Sequence, residues 1–155
     1  MRIAILNQIL EALTAELESL SRAAKESFAA ATDPDSKAEN KYDTRSLEAS
    51  YVARGQAQRV AEVQEALNRF RALAAAEPEE TQIVSLGHII SLKMPDETLL
   101  FCMGPAAGGL QVEWDGRMID VITPASPLGQ KLLGKAIGEI VALSPGYVGS
   151  ILRVD

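Results

Sequence analysis

Five carboxylates crowd a short stretch of this chain: Asp33, Asp35, Glu39, Asp43 and Glu48 all fall within DPDSKAENKYDTRSLE. Oxygen ligands of this kind suit a hard cation, and Mg²⁺ commonly takes one or two carboxylates together with water and phosphate oxygens. If the segment is helical, Glu39 and Asp43 share a face, because residues four apart stack along a helix. The same residues have a second use. Asp33 precedes Pro34, Ser36 stands three before Glu39, and Asp43 precedes an apolar run, so each is placed to cap a helix start. Both roles stay open for Asp43.

The remaining reactive side chains support chemistry less well. His88 is the only histidine and Cys102 the only cysteine, too few N/S ligands for structural zinc and too few thiols for an intrachain disulfide. His88 belongs to no nucleophile motif, and Cys102 lies in an apolar strand pattern where a buried, inert thiol is expected. The run GPAAGG, Gly104–Gly109, lacks the GxGxxG spacing and the Lys-Ser or Lys-Thr pair of phosphate-cradling loops, so it reads as a turn. Trp114 beside Asp115-Gly116 reads as packing, since three Phe, three Tyr and one Trp do not furnish an aromatic groove. A free-standing enzyme is disfavoured for want of nucleophile, base and cleft.

Two kinds of element must position these residues. Residues 1–76 hold one glycine, Gly55, and one proline, Pro34, whereas residues 77–155 hold the other 10 glycines and 6 prolines. The first part carries 10 basic and 11 acidic residues, a net −1; the second carries 5 and 10, a net −5. We place the boundary near Glu77, where helical periodicity stops at Pro78. Leu6, Leu10, Leu13, Leu17, Leu20, Ala24 and Phe28 follow one another at spacings of three and four, which is a coiled-coil seam. Ala53, Ala57, Val60, Val63, Leu67, Phe70 and Ala74 repeat the pattern after the acidic stretch. The reading is an antiparallel two-helix hairpin over 1–76, an arm about 43 Å long at 1.5 Å per residue, with an acidic tip at about 32–48. Apart from Ile5, Ile9 and Val52 there is little second apolar stripe, so a monomer is expected, with a dimerising interaction module as the rival reading.

Residues 77–155 read as strands: IVSLGHIISL, TLLFCMG, GLQVEWDGRMIDVIT, EIVAL and YVGSILRV. Asp115-Gly116 predicts a two-residue type I′ hairpin, which needs positive φ at both positions. SPLGQKLL predicts one short helix, with Ser126 as N-cap, Pro127 at its first position and Gly134 ending it in a left-handed conformation. The fold class is therefore α+β: the hairpin, then a small antiparallel sheet domain with one helix.

Composition narrows the function classes. At 155 residues, 47% apolar and 23% charged, the sequence is that of a folded protein of one domain or two small ones. A net charge of −6 argues against holding nucleic acid by phosphate neutralisation. No apolar run approaches the roughly 20 residues of a membrane span, Glu11 and Glu16 interrupt the amino-terminal apolar run, and a cytoplasmic protein is expected.

The layout, a long hairpin with an acidic tip followed by a small sheet domain, resembles the bacterial Gre (GreA/GreB) transcript-cleavage factors. TPASPLGQKLLGKAIGEIVAL, residues 123–143, is similar to their carboxy-terminal signature at Ser126, Pro127, Leu133, Gly134, Lys135, Gly138 and Glu139. Ala49 and Tyr51 in EASY resemble the sequence flanking the tip. The resemblance implies an FKBP-like domain, carrying that signature as its motif, that docks on RNA polymerase near its secondary channel while the hairpin enters the channel. It further implies that tip carboxylates, an Asp and a Glu three residues later, help hold a second Mg²⁺ for hydrolysis of a backtracked transcript. Such a factor is no enzyme by itself; at most it lends carboxylates to the polymerase. This sequence departs from the acidic pair. Aligned on Tyr51, Thr44 and Leu47 take those positions; aligned on Asp43, Ser46 stands where the Glu belongs. Polymerase binding is thus better supported than stimulated cleavage, with Asp43, Glu39 and Glu48 as the candidate tip carboxylates. FKBP-like topology does not bring prolyl isomerase activity with it.

Overall fold

A computed structural model describes residues 1–32, 44–77 and 81–155. In chain order the elements are α1 (Arg2–Thr32), α2 (Thr44–Ala75), β1 (Ile89–Lys93), β2 (Thr98–Met103), β3 (Gln111–Trp114), β4 (Arg117–Ile122), α3 (Pro127–Leu132), β5 (Ile140–Ser144) and β6 (Tyr147–Val154). They form two compact units, one of Met1–Ala12 with Ala66–Asp155 and one of Leu13–Glu65.

In the Leu13–Glu65 unit the seam expected from sequence is buried at Leu13 and Val63 and half-buried at Leu17, Leu20, Ala24 and Val60. It does not persist to Phe28, which is 65% exposed. A repeat averaging 3.5 residues drifts about 20° per heptad around a straight helix, so the stripe rotates off the contact over several turns. Arg59 Nη2 meets Glu16 Oε1 at 2.6 Å between the two helices. In the other unit Arg2 Nη2 donates to the Leu73 carbonyl at 3.0 Å. Advancing 14 residues on α1, from Arg2 to Glu16, thus corresponds to stepping back 14 on α2, from Leu73 to Arg59, so the helices are antiparallel.

The larger unit contains a six-stranded sheet in the order β3-β4-β2-β1-β6-β5. Asp115 at φ 53° and Gly116 at φ 70° make the tight turn between β3 and β4, whose ends pair Trp114 with Arg117. One pairing differs from the antiparallel sheet expected: β2 and β4 run parallel, with Phe101 opposite Asp120 and Met103 opposite Ile122. A parallel pair needs a crossover of a dozen or more residues, and residues 104–116 supply it by carrying the chain through the glycine loop and β3. The segment Ile83–His88, expected as strand, makes only a bridge from Ile83 to Ala136 before a turn.

Strand alternation gives the sheet two apolar faces. On one, Ile90, Leu92, Phe101, Met103, Ile122, Val141 and Ile151 form a core with Leu132 of α3. On the other lie Ile89, Cys102, Ile119 and Val121, all buried. A Cβ at Gly104 would come within 2.7 Å of the Phe70 ring and 2.8 Å of Val121 Cγ1, which puts α2's Phe70 against that second face. Ile5, Leu6, Ile9, Leu67 and Phe70 are buried in the same unit. Ile5 and Ile9, the brief second stripe of the sequence, belong to the part of α1 grouped with the sheet.

Candidate functional site

The segment Ser126–Glu139 is held by hydrogen bonds within itself and to the segments around it. Ser126 is extended, at φ −72° and ψ 152°; its Oγ accepts from Gly129 N at 3.0 Å and donates to the Thr123 carbonyl at 2.8 Å. Pro127 occupies the first helical turn, where no N–H is needed. The Thr123 turn presses so closely on α3 that a Cβ at Gly129 would lie 1.8 Å from the Thr123 oxygen. Leu133 closes the helix by donating its N–H to the Gly129 carbonyl at 2.8 Å, and Gly134 follows at φ +78°, the left-handed position expected of it.

Beyond the helix the chain is tied to two other segments. Gly134 N donates to Val84 O and Val84 N to Lys135 O, each at 2.8 Å. Lys135 Nζ reaches Glu139 Oε1 at 2.7 Å, and Glu139 Oε2 accepts from Ala136 N at 2.6 Å. These contacts, the Lys135 ammonium first and the Ala136 N–H second, hold the Glu139 carboxyl below its ordinary pKa. Gly138, at φ +87°, donates to Ile151 O at 2.7 Å, and Ile151 N returns a bond to Glu139 O at 2.9 Å. Lys131 Nζ caps the β5 carbonyl of Ala142 at 2.9 Å.

All seven signature residues, Ser126, Pro127, Leu133, Gly134, Lys135, Gly138 and Glu139, are therefore brought together on the α3–β5 end of the sheet. Lys135 and Glu139 bond each other, and Ser126, Leu133, Gly134 and Gly138 bond neighbours at Thr123, Gly129, Val84 and Ile151. Outward the segment exposes apolar Leu133 and Ile137 beside Gln130 and Lys131, with the Lys135 and Glu139 side chains half-exposed, and Ile140 just beyond it is 71% exposed. Ile137 and Ile140 were not singled out from sequence, although the alternation in EIVAL, with Val141 buried, already turns Ile140 the other way.

At the other candidate region, Glu39 and Asp43 lie outside the described residues. Glu48 stands exposed on α2, beside exposed Leu47, Tyr51 and Val52. Among the described residues no group of three or more His, Cys, Asp and Glu side chains could hold a metal ion.

The other reactive side chains have structural surroundings. Buried His88 accepts from Ser85 N at Nδ1, 3.1 Å away. Ser85 Oγ is 3.4 Å from Nδ1 and 3.5 Å from Nε2, too long and too evenly placed to be activated by either nitrogen. Cys102 is buried on β2, and that burial pushes its thiol up to about 12. The Gly104–Gly109 loop is a turn, with Ala107 at φ 56°, Gly109 at φ 90° and Leu110 N donating to Ala107 O at 3.0 Å. Among the described residues no helix is long and apolar enough to cross a membrane.

No protein-family model and no curated protein matches the chain. Among solved structures, the GreA factor homolog 1 (Gfh1) of Thermus thermophilus is similar at 19% identity and a TM-score of 0.38, over 99% of this chain and 94% of that one. Gfh1 of Thermus aquaticus is similar at 19% identity and a TM-score of 0.36, over 93% and 92%. The GreA/GreB elongation factor from Nitrosomonas europaea is similar at 21% identity and a TM-score of 0.36, over 74% and 94%. At these values the likenesses fix neither partner nor activity, which have to be argued from the residues of this chain.

Proposed function

We propose that the chain is a Gre-like regulator of transcription elongation that binds RNA polymerase through its sheet domain, an FKBP-like docking module, with the two-helix hairpin entering the secondary channel. The observation that carries this reading is the signature segment. Seven residues matching the Gre pattern in type and spacing are the ones locked by the Ser126 cap, the Gly134 and Gly138 turns and the Lys135–Glu139 pair. Two antiparallel helices of 31 and 32 residues, placed before that domain in the chain, support the same layout. The chain's role is binding. Stimulated cleavage is the lesser claim, because no register restores the family's acidic pair and Glu48 stands among apolar neighbours. Any Mg²⁺ at Asp43 or Glu39 would be held jointly with the polymerase, as a hard anionic ligand set shared between two proteins.

Pull-down of core RNA polymerase with the full chain tests the reading, followed by a backtracked-complex cleavage assay. Polymerase capture with weak or no stimulated cleavage is expected. If cleavage does occur, Asp43→Asn should abolish it and leave capture intact, whereas a purely capping Asp43 would tolerate Asn in both assays.

Exposed Phe28, Leu47, Tyr51 and Val52 favour one rival, self-association through the Leu13–Glu65 unit. Light scattering separates the two: the first reading has a monomer in solution, and the rival has a dimer that Tyr51→Ser and Val52→Ser dissociate.

A further inference from the structure

The Gly104–Gly109 loop also walls a cavity. An open cavity of about 650 Å³ lies over β4, lined by Phe101, Gly108, Gly109, Asp120, Ile122 and Thr123 among others. It is shallow and open to solvent, so it suits a small, weakly held ligand that keeps part of its surface wet. Its glycine wall is held in place by Gly109 N donating to Val121 O at 2.8 Å. A Cβ on Gly109, at φ +90°, would meet nothing within 4 Å, so the backbone itself borders open space there.

The lining is apolar but for a few groups, and Asp120 is its single charged residue. Gln111 Nε2 donates to Asp120 Oδ1 at 2.6 Å, which orients the carboxylate and fills one of its acceptor positions. A carboxylate has about four such positions, so most of its capacity is unspent. Ser126 cannot compete as a ligand group, since its hydroxyl serves the Thr123 carbonyl and the Gly129 N–H. Asp120 pairs with Phe101 in the parallel β2–β4 register, which sets an anion beside an aromatic residue at the cavity wall. The surrounding part of the chain, residues 77–155, carries 5 basic and 10 acidic residues, so its field favours a cation as well.

We propose that this cavity binds a small organic cation: an ammonium or guanidinium on an apolar body, the charge at Asp120 and the body against Phe101, Ile122 and the Gly108–Gly109 wall. An apolar pocket with one oriented charge discriminates by charge sign first and by shape second. The cavity shares one lining residue, Ser126, with the signature segment, but the Ser126 hydroxyl is spent on Thr123 and Gly129. The exposed Leu133, Ile137 and Ile140 lie outside the lining, so Asp120→Asn tests the assignment without touching the polymerase reading.

The test is titration of the ¹⁵N-labelled full chain with benzylammonium, and separately with benzyl alcohol as the neutral counterpart, following amide shifts. Saturable shifts confined to Gly108, Gly109, Val121 and Thr123 are expected with benzylammonium at a Kd of about 1 mM. Benzyl alcohol should bind about tenfold more weakly, and Asp120→Asn, which keeps the shape and an acceptor for Gln111, should remove that preference. The same spectra report whether the variant is folded. Equal binding of amine and alcohol, shifts centred elsewhere, or no shifts into the tens of millimolar would each overturn the proposal.

Discussion

Arg2 donates its Nε–H to the carbonyl of Gly87 at 3.0 Å, tying the first turn of α1 to the turn that leads into β1. Its Nη2 donates to Leu73 O of α2, so one guanidinium links three segments that are otherwise distant in sequence. Arg2 is 8% exposed, and its Nη1 is buried without a partner. Two bonds from a charged donor outweigh that cost, since hydrogen bonds to charged groups contribute about 1.5–3 kcal/mol each. Arg2→Ala should lower stability by about 2 kcal/mol or more, measured by urea denaturation. Arg2→Lys should recover little of it, because an ammonium cannot reach in two directions as the planar fork does. An unchanged urea midpoint for Arg2→Ala would contradict this account of the junction.

Two glycines of the signature segment should fail in different degrees. At Gly134 a Cβ meets nothing within 4 Å, so Gly134→Val suffers only the left-handed φ of +78° and should cost about 1–2 kcal/mol. At Gly129 the Cβ would collide with the Thr123 oxygen, backbone that cannot swing away, so Gly129→Ala should cost more, about 3 kcal/mol. Thermal melts rank the pair, and the reverse order would be wrong for this geometry.

Glu139 makes the segment sensitive to acid. Its carboxyl is held below the ordinary range by the Lys135 ammonium and then by the Ala136 N–H. A group with a depressed folded-state pKa adds stability above its unfolded pKa, near 4.3, and loses it as pH falls through the folded value. Wild type should therefore exceed Glu139→Gln in melting temperature at pH 7, and the gap should close on acidification below about pH 4. A gap that stays constant from pH 7 to pH 3 would remove the ion pair from the explanation.

Cys102 should be silent in the native protein. With burial raising its thiol to about 12, the thiolate is scarce at pH 8 and the sulfur is out of reach. A thiol-reactive chromophore should label nothing in the folded chain and one group per chain in denaturant. Rapid native labelling would mean that β2 is open on the helix-packed side.

The features readable from sequence were those set by local chemistry. Asp115-Gly116 could only be a tight turn, and Ser126-Pro127 with Gly134 bracketed α3 to the residue, because caps and positive φ depend on the residues themselves. The parallel β2–β4 pairing was not readable, since strand direction depends on where the chain returns and not on the run TLLFCMG. Ile5 and Ile9 carried the information that the start of α1 is buried on a second side, within the unit that holds the sheet, but a two-residue stripe does not say what covers it. In the candidate site, the sequence identified the residues that shape the loop and, by the alternation in EIVAL, held the signal for Ile140, whereas the exposure of Ile137 depends on how the turn before β5 is folded. Asp43 and Glu39 lie outside the described residues, so the choice between cap and ligand rests on the Asn substitution.

The central proposal is that the sheet domain docks on RNA polymerase with the signature segment at the contact, and binding to core enzyme tests it most directly. The full chain and an Ile140→Lys variant, whose exposed position leaves the fold intact, are compared for binding to core enzyme and to free DNA and RNA at the same salt. The account predicts binding of wild type to the polymerase alone, weakened at least tenfold by Ile140→Lys, with no binding of free nucleic acid. Polymerase binding by Ile140→Lys as tight as wild type, or salt-sensitive binding of naked DNA or RNA with no affinity for the polymerase, would contradict it.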